Sequence, residues 1–266
     1  MTPPFALPPF DFPLPVYIRR AESKMLLPQM AILPGLMMPP GLMGGGLDFD
    51  PATLADIAAV WDISDMSTLF EDISSSPSTP AIVDGRVGTV LDKSGNGRHL
   101  LAYTGGVDQR ATLRRSGDLY WLEFSNNAYD HSLPSAKYSV AVAIRQTSGV
   151  TGFRGLFATG EMVLLAQTPS PGWGTYSSGT TYAGSNIADA QDHVIVMEGI
   201  NSGTFYLDGV NDGSWAATSG QVRHIGGIEN QRYNGRFYGA VVRSVPFGQD
   251  RKNVEKWLAI RQGRKL

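Results

Sequence analysis

Leu91-Asp92-Lys93-Ser94-Gly95-Asn96-Gly97-Arg98-His99, followed by Leu100, Leu101 and Ala102, is the stretch around which the rest of the chain makes sense. Two glycines flank an asparagine between a β-branched run, Val87 to Val90, and a second apolar triplet. That pattern predicts a tight turn joining two strands. Upstream stand Trp61-Asp62-Ile63-Ser64-Asp65 and Ser67-Thr68-Leu69-Phe70.

Outward from this corner the chain continues as apolar runs of four to eight residues separated by turn clusters. Strands are expected at 59–63, 86–91, 99–103, 119–125, 137–146, 153–158, 161–166, 192–200, 203–208, 221–226 and 235–243. Such regular spacing without intervening helices argues for an all-β sandwich or jelly roll over a parallel α/β sheet. The longest alternating run, Tyr138 to Arg145, reads as a central strand. Thr204 to Gly213 reads as a hairpin with an Asp-Gly turn.

Two helices are expected at the margins. Asp50 is placed to cap a short helix with Pro51 at its first position, Phe49 stapled to Leu54, and Leu54, Ile57, Ala58 and Trp61 along one face. The last helix is capped by Asp250, buries Val254, Trp257, Leu258 and Ile260, and stops at Gly263.

Composition narrows the function classes. The 266 residues include 31 glycines and 17 prolines, only 17% are charged, and the net charge is -2. A weakly charged surface gives no global attraction to nucleic acid or anionic lipid. With no cysteine there is neither a disulfide framework nor a thiolate metal site. No run of about 18 apolar residues spans a bilayer, and Met1 to Phe5 lack the charged start of a signal peptide, which predicts assembly in a cytoplasm without membrane insertion.

Residues 1–46 hold ten of the 17 prolines and six of the nine methionines and end in Gly44-Gly45-Gly46. Prolines at this density forbid a helix and favour extended chain, which cannot bury its own aromatics. The segment reads as an assembly arm, with Phe5, Phe10, Phe12, Tyr17, Met37 and Met38 as its contacts to a neighbouring subunit and a homo-oligomer as the expected product. The domain proper is then 47–266.

Three motifs, in order, resemble the laminin-G-like, concanavalin A-like jelly rolls of bacteriophage virion proteins. They are Trp61-Asp62-Ile63-Ser64-Asp65 through the 92–99 turn, Leu119-Tyr120-Trp121-Leu122-Glu123-Phe124-Ser125-Asn126-Asn127, and the pair Phe205 to Val210 with Gly235 to Val242. The resemblance covers about 60–262 and not the arm. It implies a jelly-roll sandwich carried on a tail fibre, spike or head decoration, with other virion proteins as partners of the arm; host cell-surface polysaccharide is the expected ligand of the domain.

Chemistry is sparse. Glycosidases need two carboxylates projecting from one face, about 5 Å apart in the retaining class. Glu123, Glu161, Glu198 and Asp208 each stand alone on their strands, so a non-enzymatic protein is expected. His99, His131, His193 and His224 show no metal-ligand spacing and read as strand residues or loop filler. No cofactor is expected; Asp92 and Asn96 could help hold calcium, but bonding the backbone of their own turn is the commoner use. The glycan-binding candidate is the loop expected from Thr168 to Asn186, too long and polar for a mere connector, whose Trp173, Tyr176, Tyr182 and Asn186 would offer flat faces and hydrogen bonds to a sugar. Glu229 to Asn234, with Tyr233, is a second. The competing reading is a decoration or cement protein without a ligand.

Overall fold

The computed structural model describes residues 49–105, 108–131, 133, 138–146, 154–159, 162–166, 172–177, 180–187, 189–199, 202–216, 224–227 and 232–266. The arm residues Phe5, Phe10, Phe12, Tyr17, Met37 and Met38 lie outside them.

A 3-10 turn (Pro51–Thr53) leads into β1 (Ile57–Asp62), and a second (Met66–Thr68) into β2 (Leu69–Phe70). Next come β3 (Arg86–Val87), β4 (Thr89–Val90), β5 (Leu100–Ala102), β6 (Ala111–Ser116), β7 (Leu119–Ser125) and β8 (Tyr129–His131). The middle of the chain forms β9 (Ser139–Gln146), β10 (Arg154–Thr159), β11 (Met162–Ala166), β12 (Gly172–Ser177) and β13 (Thr180–Ile187). It closes with β14 (Asp192–Gly199), β15 (Ser202–Leu207), β16 (Val210–Ala216), β17 (His224–Ile225), β18 (Asn234–Arg243) and α1 (Arg251–Arg261).

These strands form two antiparallel sheets, and the protein is an all-β sandwich. Sheet A runs β16-β15-β14-β9-β18-β7-β6-β3, with β1 also on β18; sheet B runs β13-β12-β11-β10-β17-β8-β5-β4-β2. The run at 137–146 is the central strand the alternation predicts: Val140, Val142 and Ile144 enter the core between the sheets. Ala141 and Ala143 face the other way and pack beneath α1 with Val60, Val194, Val196, Trp257 and Leu258. Fully burying a side chain of this size stabilises by about 1.5–3 kcal/mol, so two such clusters carry most of the fold. Tyr129 stitches the sheets at one end, its hydroxyl donating to Val87 O (2.5 Å) and accepting from Ala111 N (2.9 Å).

The 92–99 turn joins β4 and β5 as the glycines require, with Gly95 and Gly97 at φ +81° and +67°. The Asp-Gly turn is Asp208-Gly209, both residues at positive φ, closing β15 on β16 in a two-residue loop. On β18 the register shifts between Phe237 and Gly239. There a Cβ on Gly239 would sit 2.6 Å from Trp61 O, so only glycine lets β1 join the sheet.

The margins differ from expectation. Asp50 caps as predicted, accepting from Ala52 N at 3.0 Å, but one 3-10 turn ends the helix. Asp56 then takes φ +57°, and Ile57, Ala58 and Trp61 belong to a strand; spacings of three and four residues mimicked a helical face. Asp250 stands at the start of α1, yet its carboxylate makes no capping bond and meets Arg243 Nη1 at 3.1 Å instead. Ile260 is 63% exposed rather than buried. The C-terminal stop is a Schellman closure, Arg264 N to Ala259 O (2.9 Å) and Gly263 N to Ile260 O (2.9 Å), with Gly263 at φ +72°. No helix among the described residues is long and apolar enough to cross a membrane.

Candidate functional site

Helix α1 covers the outer face of sheet A only partway. Its capping residue Gln262 donates from Nε2 to Ile144 O (3.0 Å) and His193 O (2.9 Å), and Arg264 Nη1 reaches Asp192 O (2.5 Å). One residue further along β9 the face opens. The register there aligns Glu123 (β7) with Arg236 (β18), Arg236 with Arg145 (β9), and Arg145 with Asp192 (β14). Thr112 and Arg86 continue the same level across β6 and β3.

The four charged side chains at the centre of this row are between 22% and 34% exposed. Their order is acid, arginine, arginine, acid. Like charges directly opposite one another destabilise a sheet, and the two arginines are each held by only a loose ion pair. Arg236 Nε lies 4.0 Å from Glu123 Oε2, and Arg145 Nη1 lies 3.9 Å from Asp192 Oδ2. Both acids have closer partners elsewhere. Trp121 Nε1 donates to Glu123 Oε2 at 2.8 Å, and Tyr238 O–H donates to Asp192 Oδ1 at 2.8 Å. Burial pushes the Tyr238 hydroxyl up to about 12, so it stays a donor.

Arg236 is nevertheless fixed in place. Its guanidinium carbon stands 4.3 Å over the Trp121 ring, and its backbone carbonyl accepts from Tyr233 O–H at 3.0 Å. Gly235 before it, at φ +151°, passes so close to β9 that a Cβ would be 2.2 Å from Arg145 O. The buried Arg236 Nε has no hydrogen-bond partner. The row thus presents two adjacent guanidinium groups, each in only a loose ion pair with its flanking acid and Arg236 also beside the Tyr238 hydroxyl, bordered by carboxylates that can accept from hydroxyl groups.

The aromatic residues expected at a sugar site stand elsewhere. Trp173 is 2% exposed and belongs to the core, its ring edge-on to His193 at 6.3 Å. Tyr233 is 1% exposed and serves as the post beneath Arg236. Neither can stack on a sugar, because each completes the apolar packing between the sheets. The described residues of the loop expected at 168–186 form β12 and β13, with Thr175 opposite Tyr182 and Tyr176 opposite Thr181. The side chains of Tyr176, Tyr182 and Asn186, and residues 229–231, lie outside the described residues.

Asp92 and Asn96 act as turn residues. Asp92 Oδ1 accepts from Val60 N and Ser94 N, both at 2.9 Å, and Oδ2 accepts from Ser94 Oγ (2.8 Å) and Arg98 N (3.0 Å). Asn96 Nδ2 donates to Ile57 O at 2.9 Å. Among the described residues no cluster of three histidine or acidic side chains could hold a metal ion.

The histidines are more engaged than sequence reading allowed. His193 is clasped between Asp208 (2.8 Å) and Asp189 (2.7 Å). Burial opposes its charge, but the two carboxylates outweigh burial and raise its pKa. Asp208 also receives Arg264 at 2.8 Å; burial works against its ionisation, yet His193 and Arg264 hold it down at about 2. His224 pairs with Asp130 on the outer face of sheet B, beside Tyr103. Each of these contacts joins residues on different strands or loops, a relation that only register creates.

No family model and no curated protein matches the sequence. Among solved structures the chain is similar to domain 4 of AbnA, a GH43 extracellular arabinanase from Geobacillus stearothermophilus in complex with arabinotriose. The identity is 14%, the TM-score 0.48, and the match covers 72% of this chain and 93% of that one. It is similar at 11% identity and TM-score 0.48 to the binding domain of Paraclostridial Mosquitocidal Protein 1, covering 77% of this chain and 52% of that one. Trypanosoma rangeli sialidase in complex with the inhibitor DANA follows at 10% identity and TM-score 0.47, covering 77% of this chain and 37% of that one.

Proposed function

We propose that the domain is a non-enzymatic glycan-binding module whose saccharide rests on the outer face of sheet A, across Glu123, Arg236, Arg145 and Asp192. The observation that carries this reading is the juxtaposition of Arg145 and Arg236. A sheet gains nothing from placing them together, and rules of local stability are most often broken where a protein needs the groups for something else. Around them stand the acceptors and donors that sugar hydroxyl groups require.

Spacing favours binding over hydrolysis. Glu123 and Asp192 are separated by three strand intervals, about 14 Å at the usual spacing of about 4.8 Å. Paired glycosidase carboxylates stand roughly 5–9.5 Å apart. A shallow, open row also predicts weak individual sites, with dissociation constants on the order of a millimolar, and avidity from repetition. That suits the expected setting, a virion protein held by its arm 1–46 and displayed in many copies toward host polysaccharide. The sequence resemblance and the proline-rich arm are what support the virion setting.

The test is binding of the full-length chain to a panel of oligosaccharides, by calorimetry or array, with reducing ends assayed in parallel. Binding without release of reducing ends is expected, and Glu123→Gln with Asp192→Asn together should weaken binding of a neutral oligosaccharide by about tenfold, two hydroxyl contacts of roughly 0.7 kcal/mol each. Release of reducing ends would make the protein a hydrolase. Silence across the panel by a folded chain would favour the ligand-free cement protein, a reading consistent with the core positions of Trp173 and Tyr233.

A further inference from the structure

Resting on that reading, we propose that the row selects acidic saccharides, receiving one sugar carboxylate between Arg145 and Arg236. Charge order is the first argument. The row reads negative, positive, positive, negative across β7, β18, β9 and β14. A single negative charge seated between the arginines turns this into strict alternation and removes the one like-charge contact in the row. The four charges already sum to zero, so a monoanion is matched. A doubly charged phosphate ester or a densely sulfated chain would meet Glu123 and Asp192 unbalanced.

Donor supply is the second argument. Trp121 and Tyr238 occupy the carboxylates of Glu123 and Asp192 at 2.8 Å each, which leaves the arginines at 4.0 and 3.9 Å from those same groups. Guanidinium edges free of tight pairing are what a carboxylate needs, since the planar fork accepts it through two parallel N–H···O bonds. Preorganisation is the third. Arg236 is laid over Trp121 and its backbone is pinned by Tyr233, so little rotamer freedom remains to be lost on binding. Trp121 is therefore a positioning residue that touches the ligand only through Arg236. Two further arginines stand near the row and take no part: Arg264 is committed to Asp208 and Asp192 O, and Arg86 donates to Arg110 O (2.9 Å) and Thr112 Oγ1 (3.3 Å).

The experiment compares four probes on the full-length protein by calorimetry: a galacturonic acid trisaccharide, its methyl ester, a neutral galactose trisaccharide and a sulfated galactose trisaccharide. Sialyllactose and its methyl ester form a second acid and ester pair. At least one acid should bind tenfold or more tightly than its ester, and raising salt from 50 to 500 mM should weaken the acid several-fold and leave the ester unchanged. Arg145→Gln and Arg236→Gln should each bring the acid down to the level of its ester. Arg236→Lys should keep part of the salt dependence and lose most of the affinity, because a point charge replaces a fork. Unchanged thermal melting establishes that these surface variants fold. Equal binding of acid and ester would overturn the inference and leave the glycan-binding reading standing. Preference for the sulfated probe would overturn carboxylate selection in the same way. Failure of every saccharide to bind the folded chain would overturn both.

Discussion

Asp92→Ala is expected to lower the unfolding free energy by about 3–5 kcal/mol. Asp92 is 8% exposed, and its two oxygens accept from Val60 N, Ser94 N, Ser94 Oγ and Arg98 N. Removing the carboxylate strands these donors at once; each buried unmatched donor costs about 1–3 kcal/mol, and the sum falls short of additive because part of the turn can reach water. One of the four comes from β1, so the loss also loosens β1 from the β4–β5 hairpin. Trp61 Nε1, which donates to Arg98 O at 2.8 Å, depends on the same turn. Asp92→Asn should recover about half of this, because its oxygen can still accept from Val60 N and Ser94 N while its amide nitrogen faces the Arg98 N–H. Asn96→Ala, at an exposed position, should cost only about 0.5–1 kcal/mol. Urea unfolding monitored by tryptophan fluorescence measures all three; a loss below 1 kcal/mol for Asp92→Ala would mean the turn does not clamp the strands.

The second large effect is in pH. His131 is half-buried on β8, stacked on Trp61 with ring centroids 5.9 Å apart. Its Nδ1 accepts from Leu133 N at 3.3 Å, which leaves the proton on Nε2, a buried atom without a partner. Burial, helped by the nearby His224, pushes its pKa down to about 4. Because the folded value is depressed, its contribution is intact above the unfolded value near 6.5 and is lost as pH falls from there toward 4. The fall from 6.5 to about 4 corresponds to about 3 kcal/mol. His131→Phe keeps the stacking and abolishes the titration, so the difference in unfolding free energy between pH 7 and pH 4 should shrink by about that amount. His193 works in the opposite sense. Its raised pKa gives stability that is complete below about 6.5 and lost as pH rises through its folded value. His193→Asn should therefore leave the slope between pH 6.5 and pH 4 unaltered. Chemical denaturation at a series of pH values separates the two, and an unchanged slope in His131→Phe would contradict the buried, neutral histidine.

Much of the sandwich is legible in the sequence where local chemistry is unambiguous. The strand at 119–125 has the bounds its alternation predicts, and the turns at 92–99 and 208–209 follow from Gly-Asn-Gly and Asp-Gly. Trouble begins where composition and burial part company. β12 and β13 are built of Gly, Ser and Thr, residues that read as loop, yet the hairpin carries Trp173 into the core. β6 hides behind the consecutive charges Arg114 and Arg115, and β8 is three residues with a tyrosine, an aspartate and a histidine. Trp61 sits at a spacing that fits helix and strand alike until Asp56 turns the backbone. The candidate site was the least legible part. Alternation places Glu123 and Arg236 on one face of their own strands, but only strand order and register set those two strands side by side and bring Arg145 next to Arg236. An aromatic residue in a polar stretch is a visible signal of a sugar site; an arginine pair formed by residues 91 positions apart is not.

Locating the ligand on the protein surface tests the outer face of sheet A as the binding row most directly. The full-length protein, labelled with nitrogen-15, is titrated with the galacturonic acid trisaccharide while the Trp121 and Trp173 indole signals and the Arg145 and Arg236 Nε–H signals are followed. Saturable shifts of Trp121, Arg145 and Arg236 with one common dissociation constant, and a stationary Trp173, are the predicted result. Shifts confined to Trp173 and the β12–β13 hairpin, with the arginine signals unmoved, would contradict it.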